Sequence, residues 1–347
     1  MHRRSFINLL GLSYAGSLLP NNFMNELYGN KNIKPVEGSW FEFQHHSIVE
    51  GKYWDSTLRN FTCDQWERKV KEISEAGIKY LVLLDVAVYG KTFYPSALLP
   101  KHQLACEDPL ETVLSAADKY GVNFFISNDF FGEWTNVDIM MKDKEVHSLR
   151  VRAMNEVAEK YSHHSSFYGW YFPNETAVDG HYRDFFISYV NSCSMEARRL
   201  TPAAKTLIAP YGTRLVKADD EFVKQLEKLD VSFIAYQDEI GVNKTKVEES
   251  AGFFRNLFRA HEKAGRARLW ADVEFFRFEG ETYKSALLPA PWERVVAQLE
   301  AVSPYVDKIF IYQYTGLVNK PGTDIFAGHP DSAILYEKIF RGKEKKK

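Results

Sequence analysis

Cysteine is scarce in this chain: Cys63, Cys106 and Cys193 are the three among 347 residues. No two of them stand at zinc-knuckle spacing, which argues against a structural zinc module, and an odd number cannot close completely into disulfides. They read as mostly free and structural, with one disulfide left open for an oxidising compartment. Neither sign of charge is in excess. Lys and Arg number 44 against 46 Asp and Glu, a net charge of −2, so nothing in the charge balance points to nucleic acid or an anionic membrane surface. No Gly-rich phosphate loop follows the first strand pattern, which weakens a doubly wound nucleotide-binding sheet. There is no short internal repeat, no low-complexity linker and no composition break that would mark a second domain.

What is present is a globular composition, 45% hydrophobic and 26% charged, rich in aromatic side chains at 15%. The Phe residues read as core. Tyr and Trp near loop ends suit stacking on the C–H faces of sugar rings, because they combine a flat apolar face with a polar edge.

The N-terminus looks like an address. Met1-His-Arg-Arg-Ser-Phe-Ile7 opens basic and runs into a short apolar stretch to Leu19, too short for a spanning helix. Arg3-Arg4-Ser5-Phe6-Ile7 resembles a twin-arginine export signal, an ordinary secretory signal being the alternative. Residues 1–32 are therefore assigned to an export signal and short linker, and 33–347 to one folded domain. The expected location is periplasmic or extracellular, with no membrane span once the signal is removed. The basic tail Arg341–Lys347 reads as a solvated terminus.

From Ser39 onward, short apolar β-branched and aromatic runs alternate with longer amphipathic stretches, the pattern of repeated βα units. Strands are expected near Trp40–Phe43, Tyr80–Asp85, Asn123–Ser127, Tyr168–Phe172, Thr206–Ala209, Val231–Tyr236, Arg268–Val273 and Lys308–Tyr312. Helices are expected over Trp66–Ala76, from Asp108-Pro109 onward, and over Glu145–Tyr161, Tyr182–Leu200, Asp219–Leu229, Lys246–Ala264, Pro291–Val302 and Asp331–Phe340. Thr62-Cys-Asp-Gln65 has the form of a capping box, and Asp108-Pro109 that of an N-cap followed by proline in the first turn. Eight strands and eight helices make a single-domain α/β protein, a (β/α)₈ barrel.

In such a barrel chemistry gathers at the C-terminal ends of the strands. Those ends carry Gln44, His45 and His46; Asp85; Asn128, Asp129 and then Trp134; Asn174 and Glu175; Tyr211; Tyr236, Gln237, Asp238 and Glu239; Asp272 and Glu274; Gln313. Glu175 and Glu274 end the fourth and seventh strands. Two carboxyls facing each other across the mouth are what glycosidic cleavage requires, one to protonate the leaving oxygen and one to attack carbon or activate water. Glu175 follows Trp170-Tyr171-Phe172, and desolvation there would raise its pKa and keep it an acid. Asp272 and Glu274 are two apart on a strand and so share a face, with Arg277 near enough in sequence to hold one ionised.

Asn174-Glu175 after an aromatic strand resembles the fourth-strand Asn-Glu of the large clan of retaining glycoside hydrolases built on this barrel. The resemblance implies that Asn174 binds a sugar hydroxyl, that Glu175 is acid/base and that Glu274 is nucleophile. Tyr236-Gln-Asp-Glu-Ile-Gly241 together with Leu269-Trp-Ala-Asp-Val-Glu-Phe275 resembles the DUF4434 family of bacterial barrel proteins over most of the chain after the signal. It implies the barrel fold and a glycoside hydrolase, with an oligo- or polysaccharide as partner and no cofactor.

Glu175 and Glu274 are thus the expected catalytic pair. Asn174, Gln237, Asp238, Asp272, Asn128, Asp129, Trp134, Tyr236, Tyr211, Gln44 and Gln313 are expected to bind substrate. Two other readings remain open: a carbohydrate-binding barrel without turnover, and a metal-dependent hydrolase or lyase using Asp85, Asp129, Asp238, Asp272 or Glu274 as oxygen ligands. The doublets His45-His46 and His163-His164 are not read as metal sites, because neighbouring side chains on a strand diverge and a histidine at a helix end suits the dipole.

Overall fold

The computed structural model describes residues 33–340. The export signal and the basic tail lie outside the described residues.

Eight parallel strands close into a barrel: β1 (Val36–Phe41), β2 (Tyr80–Leu83), β3 (Asn123–Ser127), β4 (Phe167–Tyr171), β5 (Lys205–Ile208), β6 (Phe233–Gln237), β7 (Arg268–Glu274) and β8 (Lys308–Tyr312). Each pairs with its neighbours in sequence, and β8 pairs back onto β1 through Gly38↔Phe310 and Ser39↔Ile311. Around them stand α1 (Cys63–Glu75), α2 (Pro109–Tyr120), α3 (Lys144–Tyr161), α4 (Asp184–Leu200), α5 (Asp220–Lys228), α6 (Val247–Ala264), α7 (Trp292–Val302) and α8 (Ser332–Phe340). Among the described residues no helix is long and apolar enough to cross a membrane.

The helix starts are fixed locally. Thr62 accepts from the Gln65 N–H and Gln65 accepts in return from the Thr62 N–H, the reciprocal capping box. Asp108 caps α2 at the Glu111 N–H, and Gly121 ends it in the left-handed region at φ 70°. Each such cap is worth ~1 kcal/mol.

Strand parity divides the core in two. On β7, Leu269, Ala271 and Val273 face the helices, while Trp270 faces the barrel axis. The axis is filled by Trp40, Val82, Phe125, Tyr171, Leu207, Phe233, Trp270 and Phe310. Trp270 stacks on Phe233 at 4.0 Å and lies 4.7 Å from Phe310. Gly38 makes room for this filling, since a Cβ there would come within 2.5 Å of the Phe310 ring. The interior is a packed plug, and open space begins only above it, at the C-terminal end.

Cys63, at the first residue of α1, is bonded to Cys106 in the loop that leads to α2. Two of the three cysteines are therefore paired rather than free, and Cys193 is free and buried. The bond closes a loop across a sequence separation of 43 residues, worth about 2–4 kcal/mol. It ties the long β2–α2 connection to the start of α1.

Candidate active site

A cavity of about 570 Å³ opens at the C-terminal ends of the strands. Glu175, Asp272 and Glu274 all line it, together with Gln237, Tyr211 and Trp134. The strands bring these together. Tyr171 is an inward residue of β4 and packs edge-on against Trp40 at 5.9 Å. Its hydroxyl donates to Glu175 Oε1 at 2.7 Å, and Gln237 Nε2 from β6 donates to Oε2 at 2.5 Å. Both carboxyl oxygens are thus oriented. Burial pushes the Glu175 pKa up to about 7, against the opposing pull of these two donors.

Across the mouth, Asp272 and Glu274 continue the inward parity of Trp270. Their partners in register are Gln237 on β6 for Asp272 and Tyr312 on β8 for Glu274. Glu274 Oε2 accepts from the Val242 N–H at 2.9 Å. The β6–α6 loop can approach this closely because residue 241 is glycine: a Cβ there would stand 2.8 Å from Oε2. Burial, then the neighbouring Asp238 carboxyl, hold the Glu274 pKa well above the carboxylate range. Asp272 is raised in the same way by burial, then by Glu274 and Glu175, and its Oδ1 is buried without a hydrogen-bond partner.

Asp238 does not reach the cavity. It faces outward, accepting from Gln298 Nε2 at 2.7 Å and from the Glu274 and Ile240 N–H groups. Burial raises its pKa to about 6 despite those donors. The nearby cation is Arg294 of α7, not Arg277, which is exposed. Arg294 Nη2 donates to the backbone oxygens of Glu274 and Phe276, and its charge lowers the pKa of both Asp238 and Glu274.

The remaining expected residues lie off the cavity. Asn128 is buried with its Nδ2 against Met154 Sδ at 3.6 Å. Asp129 is held by Arg150, and Asn174 Nδ2 donates to Asp129 at 2.6 Å and meets the Tyr189 hydroxyl at 3.0 Å. Tyr236 has outward parity and bonds to Tyr182 and His261 behind the sheet. Gln44 accepts from Arg59, and Gln313 donates to buried Glu42. Asp85 is fully buried with neither oxygen partnered and lies outside the cavity lining. Among the described residues, the acids at the mouth form no group of three whose ligand atoms lie within 4.8 Å of one another.

Other lining residues come from connections that carry no periodic signal. His46 and Glu50 follow β1; burial brings His46 down to about 4 and Glu50 up to about 7. His46 packs edge-on with Trp134 at 4.6 Å. Phe276, Phe278 and Tyr283 belong to a hairpin between β7 and α7, formed by Phe276–Phe278 and Leu287–Pro289. Lys244 stands over the rings of Tyr211 at 5.0 Å and Tyr283 at 5.4 Å, with its Nζ 4.0 Å from Glu239. It is the one Lys or Arg among the described lining residues. A carboxyl whose pKa is raised, in one cavity with two further carboxyls, can give a proton, while another of the set, once ionised, supplies a nucleophile or base.

The family model described as "Domain of unknown function (DUF4434)" matches residues 36–324. No curated protein sequence matches. Among solved structures, the chain is similar to a candidate alpha-L-fucosidase from Bacteroides thetaiotaomicron VPI-5482, with TM-score 0.69 and 17% identity over 90% of this chain and 96% of that one. It is also similar to the endo-1,4-beta-mannanase of Rhizomucor miehei, at TM-score 0.56 and 10% identity over 90% and 95%. A beta-galactosidase from the psychrophilic Marinomonas ef1 matches at TM-score 0.58 and 12% identity, over 89% of this chain and 59% of that one. At these identities the likeness concerns the fold.

Proposed function

The chain belongs to the DUF4434 family, and we propose that it is a glycoside hydrolase that cleaves an oligo- or polysaccharide with a pair of carboxyl groups. The observation that carries this reading is one cavity lined by Glu175, whose pKa burial raises to about 7, and by Asp272 and Glu274 of β7. The barrels it resembles include glycosidases by name. In the proposed reaction Glu175 gives its proton to the glycosidic oxygen as the C–O bond breaks. Glu274, reacting as its carboxylate, attacks the sugar carbon and forms a glycosyl ester. Glu175, now a carboxylate, takes a proton from water, which hydrolyses the ester with net retention. Gln237 and Tyr171 hold the acid in place, and Trp134, Tyr211 and Tyr283 offer flat faces to sugar rings. Export to the periplasm or beyond fits the Arg3-Arg4 segment and the Cys63–Cys106 bond.

A second assignment within this mechanism is favoured by one observation. Asp272, with an unpartnered Oδ1 and a carboxyl that senses Glu175 directly, is placed to serve as nucleophile in place of Glu274.

The test is hydrolysis of a panel of aryl glycosides and of plant, host and bacterial glycans by wild type, Glu175→Gln, Glu274→Gln and Asp272→Asn. The nucleophile variant should lose at least ~10³-fold in kcat on every substrate. Glu175→Gln should lose as much on natural glycosides and far less on aryl glycosides whose leaving groups need no proton. Retention is read from the anomer first released. Turnover that survives all three changes would remove these carboxyls from the mechanism. Glycan binding without turnover in wild type would leave a binding barrel.

A further inference from the structure

Away from the cavity, on the outer face of the barrel, the turn after α3 packs against α2. The turn is fastened firmly. Ser166 Oγ donates to the Leu114 carbonyl at 2.9 Å, and the Ser166 N–H and Ser165 Oγ donate to Asp118 Oδ1 at 2.6 and 2.8 Å. This brings His164 between two acids of α2. Its Nδ1 lies 2.7 Å from Asp118 Oδ2 and its Nε2 lies 3.1 Å from Glu111 Oε2. Exposed His163 sets its ring beside that of His164, centroids 4.2 Å apart. Ligand atoms of Glu111, His163 and His164 all fall within 4.8 Å of one another.

We propose that Glu111, His163 and His164 form a binding site for a divalent cation of the zinc class, with Asp118 as the positioning residue behind His164. The donor set is imidazole and carboxylate, which suits zinc, and a solvent-facing side leaves room for water as fourth ligand. Two ligands at about 2.0–2.2 Å from a tetrahedral ion stand about 3.3–3.6 Å apart, so the Nε2–Oε2 spacing needs only a small opening. Asp118 supplies what a metal-binding imidazole requires behind it. Its Oδ1 already accepts from Ser165 and Ser166, and its Oδ2 stands 2.7 Å from Nδ1, the acceptor a metal-binding imidazole needs behind it. That fixes the tautomer in which the Nε2 lone pair points at Glu111 and at any ion between them. Ser115 Oγ, donating to Glu111 Oε1 at 3.1 Å, leaves Oε2 as the ligand oxygen.

The simpler account is an imidazolium bridging Glu111 and Asp118, a charged staple between the two helices. His163 separates the two. It takes no part in the Glu111–His164–Asp118 chain, whereas in the metal site it is the third ligand.

The experiment is calorimetric titration of untagged, chelator-treated protein with ZnCl2 at pH 7.5, with MgCl2 as control. One zinc should bind with a Kd of about 10 μM or tighter, and magnesium should not bind. His163→Ala should weaken zinc binding at least about 10-fold while leaving the melting temperature of the zinc-free protein unchanged. Asp118→Asn should weaken it by about 10–100-fold. No saturable zinc binding in wild type would overturn the site, as would unchanged affinity in His163→Ala. The exposed position of His163 makes that variant a fair test even if changes at Glu111 or His164 impair folding. The outcome does not depend on whether the cavity cleaves glycosides.

Discussion

Asp129 and Glu175 follow neighbouring strands, β3 and β4, and the protein treats them in opposite ways. Asp129 is fully buried and compensated: Arg150 pairs with it, Asn174 and the Phe131 N–H donate to it, and Arg150 itself lies 4.9 Å from the Tyr189 ring. Glu175, at the cavity wall, has a hydroxyl and an amide but no cation, and its pKa rises to about 7. The dipeptide Asn174-Glu175 straddles the two, with Asn174 turned to the outer network and Glu175 to the cavity. A carboxyl paired with an arginine is committed to that ion pair. One left without a cation keeps a proton it can give away. The same contrast runs through Asp272, whose charged neighbours are other acids, while Glu274 has Arg294 beside its backbone.

The contrast is broken most severely at Arg150. Arg150→Met leaves Asp129 buried without its partner, which should cost about 3–5 kcal/mol in urea unfolding. Activity per folded molecule should be little changed, because the ion pair lies off the cavity. Adding Asp129→Asn should recover most of the loss. A milder break is Glu175→Gln, read as stability against pH. The folded pKa of about 7 lies above the ordinary 4.5, so the folded state keeps a proton that the unfolded chain gives up between those values. The stabilising contribution is complete below 4.5 and is lost as pH rises through 7. Wild type should therefore lose stability between about pH 5 and 8. Glu175→Gln should flatten that slope and be more stable at pH 8 by ~1–2 kcal/mol. Glu50 and Asp55, also raised to about 7 by burial, give the same sign and leave a residual slope. A steeper slope in the variant would mean that Glu175 is ionised in the folded protein.

Much of the barrel is legible in the sequence because strand and helix periods alternate cleanly. Asn123–Ser127 and Lys308–Tyr312 are read to the residue. The first strand is read late, at Trp40–Phe43 instead of Val36–Phe41, because Glu37-Gly38-Ser39 shows no apolar alternation, Gly38 instead making room for Phe310 inside the barrel. The hairpin Phe276–Phe278 with Leu287–Pro289 is too short to show a period. The Cys63–Cys106 bond needs the approach of two segments that no spacing encodes. In the site, Asp272 and Glu274 are legible because strand parity from Trp270 carries through them. The same parity could have removed Tyr236 and Asp238, since Phe233 and Ala235 face the axis and the residues between them face the helices. Glu50, Lys244, Tyr283 and Arg294 come from loops and a helix start, where sequence gives side-chain chemistry without direction.

Tyr283 offers the finest test of how far the cavity differs from ordinary surface. It sits on the connection between the hairpin strands with φ at 64°, is 53% exposed, and faces Phe278 at 5.6 Å and Lys244. A tyrosine in the left-handed region costs ~1 kcal/mol relative to glycine, and an exposed ring returns little of that by packing. Tyr283→Gly should therefore leave the melting temperature unchanged or raise it by a degree or two. If the ring is a sugar platform, the same change should raise KM for an oligosaccharide substrate about 10-fold, the equivalent of one stacking contact of ~1.4 kcal/mol, with kcat nearly unchanged. Tyr283→Trp should restore KM. A variant that loses stability and keeps KM would assign the ring to holding the hairpin, and the wall of the cavity on that side would then be structural.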